Sequence, residues 1–349
     1  MFSNKSQIDV QFNWIFILIV GAIILSFFVG VAVWYKGTQE QKIAADIVTK
    51  LDSLFMTAKE SPKTARYTEI PQVELSFTCS ATDCSDYGCP SYFSGGGISM
   101  STETEALFTM RNLHGTNIIT WSLEWDMPYK IANFLYLTND AVRYVFVYDE
   151  DHKSAAHSAG ALLAENSYIT KETINIDTEE FSLIDKHDDF VRIVAFLDKG
   201  SLSEAKATSY LGEREAGREH WDIIYIDGTA EAGTVVYEDG EVIYAGLPLL
   251  MGAIFSADSE FYSCNLQKTA LQSEFVSNVY LKRTKELYNY FTLEDTERLY
   301  CSYYLGDDVQ NAIENIASGL KSGEIDYDYV TELEENNAYA VIKSCPRVY

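Results

Sequence analysis

Residues 142–150 read VRYVFVYDE, a nearly unbroken apolar and aromatic run that ends abruptly in two carboxylates. A short run rich in Val, Phe and Tyr is the pattern of a strand buried on both faces. Immediately downstream, 153–165 is rich in Ala and Leu and predicts a helix, and apolar runs at 190–197, 222–227 and 233–245 predict more strands. Strand, helix, strand is the alternation of an α/β sheet. Upstream, 67–138 carries apolar runs at 105–110, 117–123 and 131–137 separated by turn residues, which predicts an antiparallel or mixed sheet. Beyond Leu247 the pattern turns helical, with 258–290 as one long or broken helix, then 293–304 and 307–321, and an acidic stretch at 324–336 that caps a polar tail. The fold class is therefore α/β, or α+β over the whole chain.

In open α/β sheets ligands lie outside the carboxyl ends of the strands. Here the strand 142–148 runs straight into Asp149, Glu150, Asp151 and His152, with His157 five residues on. Asp149, Asp151 and His152 are the candidate metal ligands, because carboxylates suit hard cations and imidazole suits transition metals. Against this, His152 and His157 do not share a helical face, and Asp151 is also a plain helix N-cap. Asp222, Asp227 and Glu231 read as a strand end and turn around Asp227-Gly228. Other signatures are missing. Gly95-Gly96-Gly97 lacks the Lys-Ser/Thr of a phosphate loop, no Gly-x-Ser-x-Gly or His-Glu-x-x-His occurs, and His114 and His187 have no nucleophile at a recognisable spacing. No catalytic residue and no cofactor is predicted. The 24 tyrosines offer aromatic contact surface, though most are expected to fill sheet faces.

At the other end of the chain, residues 14–35 read WIFILIVGAIILSFFVGVAVWY, 22 positions without a charge. At about 1.5 Å per residue this spans a hydrocarbon core of roughly 30 Å. Trp14, Trp34 and Tyr35 stand at its ends, where amphipathic rings prefer the headgroup level. The run is too long for a cleaved secretory signal and lacks a small-residue cut site, so it reads as a retained transmembrane helix. Ala22, Ser26 and Gly30 recur every fourth residue and could let another helix approach closely, although such residues are common in any spanning helix. From 36 to 62 the pattern stays helical: Ala44, Ile47, Leu51, Leu54 and Ala58 form a stripe, and Lys36/Glu40, Lys42/Asp46 and Asp46/Lys50 pair at i,i+4. This amphipathic stalk should end near Ser61-Pro62 and pack on the head or on copies of itself.

A short tail, one spanning helix running into an amphipathic continuation, and a larger head is an order of parts that resembles the type IV pilin-like family over roughly the first 60 residues. The resemblance implies N-terminal processing, for which Lys5-Ser6-Gln7 is the nearest match, and assembly through the helix. The whole chain also resembles archaeal envelope proteins with one N-terminal span and an α/β head. The division read from the sequence is a tail at 1–13, the transmembrane helix at 14–35, the stalk at 36–62, a β-rich cysteine-containing region at 67–138, an α/β domain at 139–257 and a helical segment at 258–349.

Charge excludes one class of partner. The 349 residues hold 26 Lys and Arg against 52 Asp and Glu, and the net −26 repels a phosphate backbone. Nucleic acid is not a partner on this reading; the lipid bilayer and a protein, or further copies of the chain, are. Lys5 before the helix against Lys36, Lys42 and Lys50 after it favours a cytoplasmic head by the positive-inside rule. The cysteines argue the other way. Cys79, Cys84 and Cys89 lie in a Ser/Asp/Gly/Pro-rich loop, and Cys264, Cys301 and Cys345 lie far downstream. If all six form disulfides, at least one bridge must join the two groups, and the compartment is oxidising. Zinc would favour tighter cysteine spacings or nearby histidine. The expectation is a single-pass envelope protein with an extracellular head and a structural or interaction role; a pilin-like subunit and a membrane-tethered metal enzyme are the alternatives.

Overall fold

The computed structural model describes residues 14, 16–35, 50, 53, 57, 63–80, 82, 84, 89, 91–95, 98–102, 106–164, 167–177, 190–198, 200, 202, 221–322 and 326–349. The tail at 1–13, nearly all of the expected stalk at 36–62, Gly96, Gly97 and His187 lie outside the described residues.

The N-terminal helix α1, Phe16–Tyr35, is long and apolar enough to cross a membrane, and none of its apolar stretch is buried by protein. The Ser26 hydroxyl donates to the Ala22 carbonyl at 2.8 Å, so the polar group within the span is satisfied by its own helix.

Two six-stranded sheets follow. The first runs in the order β3-β2-β1-β5-β6-β4, made of β1 (Ala65–Cys79), β2 (Ser91–Gly95), β3 (Ile98–Thr102), β4 (Leu107–Thr109), β5 (Asn112–Asp126) and β6 (Lys130–Thr138). All its pairings are antiparallel except β4 with β6. Strand β1 shifts register against β5 between Glu69 and Val73, the segment that holds Pro71, which cannot donate to the ladder. The second sheet runs β12-β11-β10-β9-β7-β8, from β7 (Val142–Tyr148), β8 (Thr170–Asn175), β9 (Phe190–Phe196), β10 (Trp221–Gly228), β11 (Ala232–Val236) and β12 (Glu241–Ala245). Strands β8, β7, β9 and β10 are parallel, and β10, β11 and β12 antiparallel. Helix α2, Lys153–Ala164, links β7 to β8 and buries Ala155, Ala156, Ala159 and Leu163 on one stripe.

The molecule is built around α3, Gly246–Phe255, a helix apolar on every side because it lies within the core shared by both sheets, with Leu249 to Phe255 all buried. Surrounding aromatics satisfy the carbonyls at its ends and beside it. Tyr136 donates to the Pro248 carbonyl (2.7 Å), Tyr237 to Ala253 (2.7 Å), Trp125 Nε1 to Ala245 (3.0 Å) and Tyr262 to Ile243 (2.9 Å). The turn after α3 is held by two arginines. Arg192 of β9, fully buried, pairs with Asp222 of β10 and donates to the carbonyls of Ile254, Ser256 and Ala257. Burial disfavours its charge, but Asp222 outweighs that and raises its pKa further above the ordinary value. Arg111, in the turn between β4 and β5, grips Asp258 and Glu260. The Ala257 amide completes the junction by donating to the Thr109 carbonyl at 3.1 Å.

Helix α4, Ser259–Leu293, follows, capped by Asp258, whose side chain accepts from the Phe261 amide. A 3-10 segment at Thr296–Leu305, α5 (Asp307–Ser322) and α6 (Tyr327–Ile342) complete the chain.

Four readings of the sequence need correction. Strand β8, TKETIN, went unread because it is a mostly polar edge strand. The expected strand at 233–245 is a hairpin, turning where the Tyr237 amide donates to the Gly240 carbonyl at 2.8 Å. The helix expected at 293–304 is a 3-10 segment. The acidic stretch at 324–336 is no polar tail: 327 onward is helix, with Val330, Leu333, Asn337 and Ala340 buried at spacings of three and four and the carboxylates mostly outward.

Candidate functional site

Strand β8 lies on one side of β7 and β9 on the other, so the chain leaves β7 in one direction and returns in the opposite one. Such a reversal opens a crevice at the carboxyl ends of the parallel strands. Asp149 to His152 occupy that position. The Asp149 carboxylate accepts from the His152 backbone amide at 2.9 Å and faces the His152 Nδ1 at 2.7 Å. Burial disfavours its charge, but the bonds from His152 outweigh this and hold the Asp149 carboxyl below the usual carboxylate range. Glu150 accepts from Lys153 (3.2 Å) and from Asn175 at the end of β8 (2.8 Å), contacts that also hold its carboxyl down. His157 Nε2 lies 3.2 Å from the Tyr148 hydroxyl with the rings edge to face.

The structure therefore brings Asp149 and His152 together and leaves Asp151 exposed, contributing its backbone rather than its carboxylate. The Asp149 carboxylate, not that of Asp151, accepts an amide here, that of His152 in the turn just ahead of α2. Among the described residues no third carboxylate or imidazole joins this pair within one ion's reach. Asp222 is the half-buried partner of the buried Arg192 rather than a plain strand end.

The cysteines form a second cluster. Cys79 of β1 bridges Cys264 of α4, Cys84 bridges Cys89, and Cys301 bridges Cys345, with Cα separations of 5.8, 4.1 and 5.4 Å. The first joins the two sequence groups. The sulfurs of Cys84, Cys89 and Cys264 all lie within 4.8 Å of one another, so two disulfides touch. Beside them Lys268, 2% exposed, donates to the Ser91 hydroxyl, and Ser91 in turn donates to Cys79 Sγ at 3.0 Å. Sequence reasoning missed Lys268 and Ser91; a lysine one turn after Cys264 on the same helix was the available signal.

A cleft of about 220 Å³ between α4 and α5 is lined by Glu274, Ser277, Asn278 and Glu314 among others. Ser277 lies 2.5 Å from the Tyr129 hydroxyl, and Lys285 pairs with Glu314 at 3.1 Å.

No protein-family model, no curated protein and no solved structure matches this chain.

Proposed function

We propose that the chain is a single-pass membrane-anchored envelope protein whose disulfide-stapled α/β head lies outside the cytoplasm and works through protein contacts. The observation that carries this reading is α1: twenty residues of apolar helix on which, among the described residues, no part of the head packs. In water so much unburied apolar surface would be untenable, and in a bilayer it is the stable state. Three disulfides suit an oxidising compartment and outweigh the lysine count after the helix. The head supplies contact surface in the exposed Leu293, Tyr300, Tyr303 and Ile342 of its C-terminal helical part. Its 47 acidic against 19 basic residues after position 66 favour a cationic partner over an anionic one.

The test is labelling of intact cells with a membrane-impermeant maleimide and a lysine reagent, followed by peptide mapping. Head lysines should label without permeabilisation, thiols only after reduction, and residues 14–35 should remain in the mature chain. Protected lysines with freely reactive thiols would place the head in the cytoplasm and reverse the proposal. Loss of 14–35 would make the helix a signal sequence. The same exposed helix, with Gly30 open on its surface, also suits a pilin-like filament core. A mature N-terminus beginning at Met1 would count against that second reading.

A further inference from the structure

We propose that Cys84–Cys89 and Cys79–Cys264 form a thiol–disulfide exchange site, in which an external thiol that reaches only Cys84 switches the bond tying β1 to the long helix α4. The two disulfides differ in access: Cys84 is partly exposed, whereas Cys89 and Cys264 are fully buried and Cys79 is 3% exposed. An external thiolate therefore attacks Cys84 Sγ. The new bond joins its sulfur to Cys84, the Cys84–Cys89 bond breaks, and the electron pair leaves on Cys89. That thiolate lies beside Cys264, since both sulfurs belong to the trio within 4.8 Å. It attacks Cys264 Sγ, the Cys89–Cys264 bond forms, and the Cys79–Cys264 bond breaks with the pair leaving on Cys79.

The leaving sulfur is the one the fold supports. Ser91 donates to Cys79 Sγ and is itself polarised by the buried ammonium of Lys268, so charge developing on Cys79 is met by an aligned hydrogen bond and a cation. Exchange runs fastest when the attacked sulfur is within reach and the departing thiolate is stabilised, and here the two conditions fall on Cys264 and Cys79 respectively. A second external thiol then resolves the mixed disulfide at Cys84. Two thiols leave as one disulfide, and their two electrons remain on Cys79 and Cys84. The outcome frees β1, the first strand after α1 among the described residues, from α4.

The experiment uses the full chain in detergent micelles with reduced glutathione as the probe, acid quenching, alkylation and mass mapping over time. The expected early species carry glutathione on Cys84, a Cys89–Cys264 cross-link and alkylated Cys79, while Cys301–Cys345 stays paired. The Cys84→Ser variant frees Cys89 without any reductant; raising the pH through the thiol range should then move the alkylated position from Cys89 to Cys79. Ser91→Ala and Lys268→Met should slow the second step about tenfold while leaving glutathione attachment at Cys84 unchanged. Finding Cys84 and Cys89 both alkylated with Cys79–Cys264 intact throughout, or Cys79–Cys264 opening first, would overturn the proposal. The unsubstituted chain decides this even if the serine variant does not fold.

Discussion

Arg192 is a charge set in the middle of FVRIVAF, an otherwise apolar strand, and it is almost fully removed from water. Its guanidinium is held by the Asp222 carboxylate and by carbonyls at the end of α3, so each hydrogen-bonding direction meets an acceptor. Removing one member of a buried pair leaves the other uncompensated. Arg192→Met should therefore destabilise the head by about 3–5 kcal/mol in urea unfolding, and Asp222→Asn by a comparable amount, because it leaves the fully buried guanidinium without its counter-charge. Equal, near-zero effects would mean that the turn after α3 is held by Arg111 alone. At this scale the sequence was legible where partners are neighbours. Asp149 and His152, three apart, could be singled out together because their pairing is local. Lys268 and Ser91 stand 177 positions apart, and only the packing of α4 against the first sheet brings them together.

Among elements, the strands buried on both faces were the readable ones: β7 and β9 are apolar runs interrupted by a single arginine each and lie inside the sheet. Edge strand β8 is polar wherever it needs no cover, so nothing in its composition marks it. Helix α6 was hidden differently, because its carboxylates dominate the composition while its narrow buried stripe is carried by four spaced residues. That stripe is thin for sixteen residues of helix, and the Cys301–Cys345 bridge closes the chain segment around it. Cross-linking a loop of this length limits the unfolded chain by about 3–4 kcal/mol. Replacing both cysteines by alanine should lower hydrogen-exchange protection across 327–342 well before that of β7 or β9. Uniform loss of protection would instead show that α6 opens only with the whole head. The pairing itself could not be read, since six cysteines allow 15 connectivities, and the meeting of β1 with α4 fixes only the Cys79–Cys264 pair among them.

For the whole molecule the question is whether two sheets and a helical segment unfold as one body. Tyr136, Tyr144, Tyr237, Tyr244 and Tyr262 come from both sheets and α4, all are buried, and they belong to one apolar core around α3. Several donate their hydroxyls to carbonyls, as Tyr136 does to Pro248 and Tyr237 to Ala253, a bond that a phenolate cannot make. Burial pushes Tyr144 up to about 12 despite the bond to Thr138, and does the same to Tyr129 beneath α4 despite Ser277. Tyr136, Tyr237, Tyr244 and Tyr262 are raised as well, again chiefly by burial. The unfolded phenol ionises near 10. A group whose folded pKa lies above that value binds more protons when folded, so its contribution is complete below about pH 10 and is lost as pH rises towards 12 and beyond. Because these rings join the sheets through α3, their ionisation should be coupled to one loss of structure. Absorbance at 295 nm is expected to show exposed tyrosines titrating near pH 10, then a steep second phase coincident with loss of near-ultraviolet circular dichroism. Were all 24 tyrosines to titrate in a single phase near 10 with the dichroism retained, the shared core around α3 would be refuted, and the two sheets would have to be treated as separate bodies.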